Sequence, residues 1–130
     1  DCKARIDAMP WNTDWEGCVV DVKTTTDASP NEFQRSAHKF GYHIQAAHYL
    51  EATENRDRFI FIVVEKAPPH CVAIYELDDD AIALGRSERE WLLDKWAACQ
   101  AMEAAGEEGA WPGFPQGVQE LSLPGWAYTQ

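Results

Sequence analysis

Phe59-Ile60-Phe61-Ile62-Val63-Val64 is an unbroken apolar run that ends at Glu65. It has strand length, it is all aromatic and β-branched, and it lacks the alternation of a strand with one wet face. Such a run is the signature of a central strand buried on both faces, so the rest of the chain has to be arranged in layers around it. Pro68-Pro69 breaks the run, and His70 to Leu77 then alternates, Val72, Ile74 and Glu76 against Cys71, Ala73 and Tyr75. That pattern predicts a neighbouring, antiparallel strand. Upstream, Ser29-Pro30 marks a helix start, with Ser29 as N-cap and Pro30 in the first turn. Phe33, Ala37, Phe40, Ile44, Ala47 and Leu50 follow at intervals of three and four, predicting a helix to about Glu51 with a weak point at Gly41. A helix between Thr25 and Phe59 can serve as a right-handed crossover joining two parallel strands. The expected fold is α/β, a mixed central sheet flanked by helices.

The partner strand is Gly17 to Thr25, where Val20, Val22 and Thr24 alternate with Val19, Asp21, Lys23 and Thr25. Side chains two apart share a face, so Asp21 and Lys23 stand side by side. One reading is a solvated face, where such a pair contributes little. The other is a metal-dependent phosphodiesterase site, with a carboxylate holding a divalent cation and a lysine beside it. Cys2 to Ala8 also alternates, with Lys3, Arg5 and Asp7 on its polar face, and Pro10 to Gly17 is rich in turn residues. A hairpin here brings Asp7 opposite the Asp21–Lys23 strand, so that two carboxylates and one lysine share a patch.

Charge bears on the partner. With 22 Asp+Glu against 11 Lys+Arg the net charge is −11, which taken alone argues against a protein that coats nucleic acid with a basic face. An enzyme that approaches phosphate through cations remains open. The run Asp78-Asp79-Asp80 fits a helix start, where carboxylates complement the positive end; a tri-aspartate metal site is the alternative. This helix runs to about Ala105, with Ile82, Leu92, Trp96, Cys99 and Met102 available for packing, and Gly106 ends it. The remainder reads as an irregular tail anchored by aromatics. His38, His43 and His48 are five apart, which spreads them around a helix and marks them as structural or DNA-facing, not as ligands. Cys2, Cys18, Cys71 and Cys99 have no CxxC spacing, so zinc-ribbon and clustered iron–sulfur readings are weak, and reduced thiols in a cytoplasmic protein are expected. No apolar run has membrane-spanning length.

Lys3-Ala4-Arg5-Ile6-Asp7, Asp21-Val22-Lys23-Thr24-Thr25 and Tyr42-His43-Ile44-Gln45-Ala46-Ala47-His48-Tyr49 together resemble a PD-(D/E)xK nuclease of the exonuclease VIII (RecE) type. The Gln-x-x-x-Tyr helix is shared with RecB-like nucleases, and the tail Leu121-Ser122-Leu123-Pro124-Gly125-Trp126-Ala127 is similar to the RecE type. The resemblance covers nearly all of residues 1–130 and implies one nuclease domain with a restriction-endonuclease-like core, its opening helix upstream of Asp1. It implies magnesium-dependent, ATP-independent 5′→3′ digestion of linear double-stranded DNA in recombination, in a bacterial or phage setting. It implies Asp7 and Asp21 as metal ligands, Lys23 as the catalytic lysine, and Gln45 and Tyr49 near the scissile strand. It further implies a ring-shaped, tetrameric homo-oligomer, for which Trp91, Trp96, Trp111 and Trp126 could supply interface, and a single-strand annealing recombinase as partner.

The residue types suit that chemistry. Magnesium takes oxygen ligands and is commonly held by one or two carboxylates plus phosphate and water; the Val22 carbonyl is a further candidate, and manganese should substitute. Lys23 either orients the attacking water or accepts its proton. Three alternatives stand beside this reading: a catalytically silent interaction domain of the same fold, another RecB-like nuclease, and an acidic module that mimics DNA.

Overall fold

The computed structural model describes residues 2–11, 14–115 and 117–128. It contains β1 (Cys18–Thr25), α1 (Pro30–Lys39), α2 (Tyr42–Glu51), β2 (Arg58–Glu65), β3 (Val72–Glu76) and α3 (Asp79–Ala104), with a 3-10 turn at Gly125–Tyr128. The chain gathers into two compact units, residues 1–94 and 95–130, and the sheet lies in the first. No helix among the described residues is long and apolar enough to cross a membrane.

The sheet has the order β1-β2-β3. β1 and β2 run parallel, with Asp21 opposite Phe61 and Lys23 opposite Val63; β2 and β3 run antiparallel, with Ile62 opposite Ile74. The apolar run is thus the central strand, and the α/β reading holds. Val19, Phe59, Phe61 and Val63 bury their side chains with Phe33, Ala46 and Leu50 of α1 and α2. The opposite face is covered less fully than an unbroken apolar run implies. Cys18, Val20 and Ile60 are buried there beside Trp15, but Val22, Ile74 and Val72 are exposed. All four cysteines are free, and burial pushes the Cys18 thiol up from its usual range.

Two expected elements take another form. The single helix from Pro30 to Glu51 is two helices, because Gly41 adopts φ +65° and ends one while starting the other. Left-handed backbone of this kind is open to glycine and strained for other residues. The strand expected over Cys2–Ala8 is a single antiparallel bridge, Ala8 with Val20, closed by hydrogen bonds of 3.1 and 2.9 Å. The next rung is missing because the Val22 N–H donates instead to the Asp7 carboxylate, at 2.9 Å. A side chain has taken the place of the ladder.

Asp78 caps α3 by accepting the Ala81 N–H at 2.7 Å, the ordinary role of an aspartate before a helix. Gly85 lies so close to α2 that a Cβ there would stand 2.1 Å from the His43 carbonyl oxygen. Of the α3 residues expected to pack, Ile82 is buried, whereas Leu92, Trp96 and Met102 are exposed. In the second unit Leu121, Leu123 and Trp126 are also exposed, so the tail keeps these large side chains mostly at the surface.

Candidate active site

Asp21 is the one buried carboxylate among the described residues, 4% exposed. The solvated-face reading of β1 therefore fails: α2 covers the face on which Asp21 and Lys23 project. Burying a carboxylate is costly unless it is compensated, and the compensation is visible. Lys23 Nζ stands 2.6 Å from Asp21 Oδ2, with the Lys23 side chain 16% exposed. Gln45, from α2, bridges the two: its Nε2 donates to Asp21 Oδ1 at 3.3 Å and its Oε1 accepts from Lys23 Nζ at 2.7 Å. Tyr42, one turn earlier on α2, offers its ring face to the same ammonium, 4.4 Å from Nζ. Asp21, Lys23, Gln45 and Tyr42 thus form one closed cluster, and every member's position follows from β1 alternation and helical spacing.

Asp7 reaches this strand from the other side. β1 is an edge strand, and the bonds of Val20 to Ala8 show that its even residues direct their backbone groups to the free edge. N–H and C=O of one strand residue share a direction, so the Val22 carbonyl points to the edge where Asp7 Oδ2 already holds the Val22 N–H. Two ties keep the Asp7 segment there. Arg56 donates to the Pro10 and Cys18 carbonyls at 3.2 and 2.6 Å. His48 bonds the Lys3 carbonyl through Nε2 at 2.9 Å while its Nδ1 accepts from Arg89 Nε at 3.0 Å. Since Nδ1 must accept, the His48 proton is on Nε2.

Tyr49 is not drawn into the cluster. It lies on the same α2 face as Gln45, but its ring packs near Phe59 and His48, at 6.3 Å from each. Tyr42 and Arg56 were not singled out from the sequence. Tyr42 is three before Gln45 and so shares its face, a signal that helical spacing offered; Arg56 left no comparable trace. His43, also buried, bonds Glu88 at 2.9 Å and stacks its ring on His38.

Whether these residues suit a divalent cation can be tested on one atom. Asp21 Oδ2 is buried and has no aligned hydrogen-bond donor among the described residues; the Lys23 contact is an ion pair without hydrogen-bond alignment. A buried carboxylate oxygen held by an ammonium alone, a second carboxylate with one oxygen already held, and an edge carbonyl are all hard oxygen donors. No three His, Cys, Asp or Glu residues converge among the described residues, so a zinc-type cage is absent from them. Carboxylate and carbonyl oxygens are the donors that magnesium takes.

The family model for a PDDEXK-like domain of unknown function (DUF3799) matches residues 1–109. No curated protein matches the chain.

Proposed function

Since this chain belongs to the PDDEXK-like family, with a restriction-endonuclease-like fold, we propose that it is a magnesium-dependent deoxyribonuclease that hydrolyses phosphodiester bonds. The observation that carries the reading is the buried Asp21 carboxylate, held between Lys23 and Gln45 with one oxygen left without an aligned donor. A structural ion pair has no need of that arrangement, and replacing it by apolar residues would cost little or even stabilise.

In this reading Asp21 and Asp7 hold Mg²⁺, or Mn²⁺ in its place, with the Val22 carbonyl as a third oxygen. A bound magnesium supplies a more acidic water and stabilises charge on the phosphate. Lys23 acts as donor and positive charge toward the phosphate oxygens, where prepositioned charge is most effective. Gln45 and Tyr42 fix the Lys23 nitrogen, which otherwise rides on a flexible stem. Tyr49 lines the same helix face farther from Asp21.

The finer proposal follows the similarity to exonuclease VIII (RecE): 5′→3′ digestion of linear double-stranded DNA without ATP, in recombination, in a bacterial or phage cytoplasm. The same similarity supports a ring of subunits and a strand-annealing partner. Incubating the protein with linear and covalently closed duplex DNA, with magnesium or with EDTA, tests this. Nucleotide release from the linear form alone, abolished by EDTA, is expected. Breakage of both forms would make it an endonuclease, and release from neither would refute the nuclease reading.

A further inference from the structure

At the carboxyl ends of the parallel strands β1 and β2 lies a groove of about 440 Å³, lined among others by Thr24, Thr25, Lys39, Phe40, Tyr42 and Lys66. Open α/β sheets bind ligands in the crevice beyond the strands' carboxyl ends. Tyr42 belongs both to this groove and to the Lys23 cluster, and Thr24 follows Lys23 directly, so the groove adjoins the candidate active site.

Its lysines, Lys39 and Lys66, offset its carboxylates, so the lining is formally neutral in a chain of net charge −11. Asp27 and Glu32 also line it. Glu32 is paired with Arg35 within α1, and Asp27 accepts the Ser29 N–H, which lowers its carboxyl from the usual value. Lys39 and Lys66 make no ion pair among the described residues. With Lys23, three of the five lysines in a chain of net charge −11 gather at this end of β1.

Its aromatic side is built outward from the core. Tyr42 lies 5.8 Å from Phe61 and 6.1 Å from Phe33. Phe40 stacks on Tyr42 at 5.8 Å and 29°, and the turn at Gly41 is what sets the two rings together. Phe40 ends the column 61% exposed, with Lys39 Nζ 5.5 Å from its ring centre. A lone exposed aromatic is common on protein surfaces. A ring supported from beneath and flanked by lysines and threonine hydroxyls matches the stacking platform and cationic track that hold unpaired nucleotides.

We propose that this groove binds an unpaired nucleotide of the substrate strand, its base stacked on Phe40 and its phosphate between Lys39 and Lys66, beside the bond presented to Asp21 and Lys23. The link to that bond rests on the nuclease reading; the binding itself does not.

The test uses the full chain in EDTA, so that nothing is cleaved, and reads fluorescence anisotropy of a labelled thymidine oligonucleotide and of an abasic strand of equal length. The thymidine strand should bind more tightly. Phe40→Ala should weaken it by roughly 5- to 150-fold, the worth of one stacked base, and leave the abasic strand unchanged, while Phe40→Trp restores it. Lys39→Ala with Lys66→Ala should weaken both strands and lower the salt slope by about 0.7 for each phosphate no longer neutralised. Phe40 is exposed, so its removal does not endanger the fold. No binding, equal binding of both strands, or a silent Phe40→Ala would overturn the proposal. Phe40-dependent binding without magnesium-dependent cleavage would keep the groove and remove the nuclease; cleavage with Phe40-independent binding would do the reverse.

Discussion

Replacing Lys23 by Met should unbalance Asp21 while keeping most of the side chain's bulk. Three interactions go at once: the 2.6 Å ion pair, the 2.7 Å bond to Gln45 Oε1, and the cation over Tyr42. Asp21 stays 4% exposed, with the 3.3 Å bond from Gln45 Nε2 as its remaining partner. Removing one member of a buried pair costs about 3–5 kcal/mol. Because the Lys23 side chain is 16% exposed, some water reaches the site and the lower end, about 3 kcal/mol, is expected. For a domain of this size that is a fall in Tm of roughly 10 °C. Magnesium should then act more strongly on the variant than on the wild type, since the ammonium no longer competes for the carboxylate. Saturation at about 100 times Kd adds roughly 2.7 kcal/mol, enough to recover most of the loss. Circular dichroism melts in EDTA and in magnesium measure both effects. A loss below about 1 kcal/mol in EDTA, with equal magnesium shifts in both proteins, would refute the charge balance argued for this site.

Gln45→Ala removes the bridge between Asp21 and Lys23 but neither charge. It should cost about 1–2 kcal/mol in a urea titration, while cleavage falls much further because the Lys23 nitrogen loses its anchor. Gly85→Ala would drive a methyl group into the His43 carbonyl; a loss of about 3 kcal/mol or more is expected, and a Tm within error of wild type would refute the close contact. Arg58 grips Glu76 with bonds of 2.7 and 2.8 Å, which lowers the Glu76 carboxyl below its ordinary 4.5. Stability from this pair is therefore complete above pH 4.5 and lost as pH falls through the lower folded value. Glu76→Gln should flatten that acid limb and leave stability at neutral pH little changed, as suits an exposed pair.

The three strands were legible because β-branched runs bounded by turn residues leave few other folds open, and the pairing directions followed from chain lengths between them. The Asp7 segment was legible only in part. Its alternation is real, but a carboxylate reaching the Val22 N–H competes with the ladder, and no periodicity reveals such competition. Gly41 marked a weak point without showing that it breaks the helix, since the apolar spacing from Phe33 to Leu50 continues in phase across it. Asp21 and Lys23 were visible as neighbours. Whether water or a helix covered them was not, because an alternating strand reads alike in both cases; Gln45 and Tyr42 of α2 decide it. The extra covering expected on the second sheet face was inferred from β2 alone, and the neighbouring strands leave that face partly open.

The nuclease reading requires that Asp21 hold a catalytic cation. Calorimetric titration of magnesium or manganese into wild type and Asp21→Asn, with cleavage of linear duplex DNA measured on the same samples, tests it most directly. The substitution keeps the shape and removes the charge, so metal affinity should fall steeply and cleavage should fail even at raised metal concentration. Equal affinity in the two proteins, with cleavage intact in Asp21→Asn, would return Asp21 and Lys23 to a structural pair beneath α2.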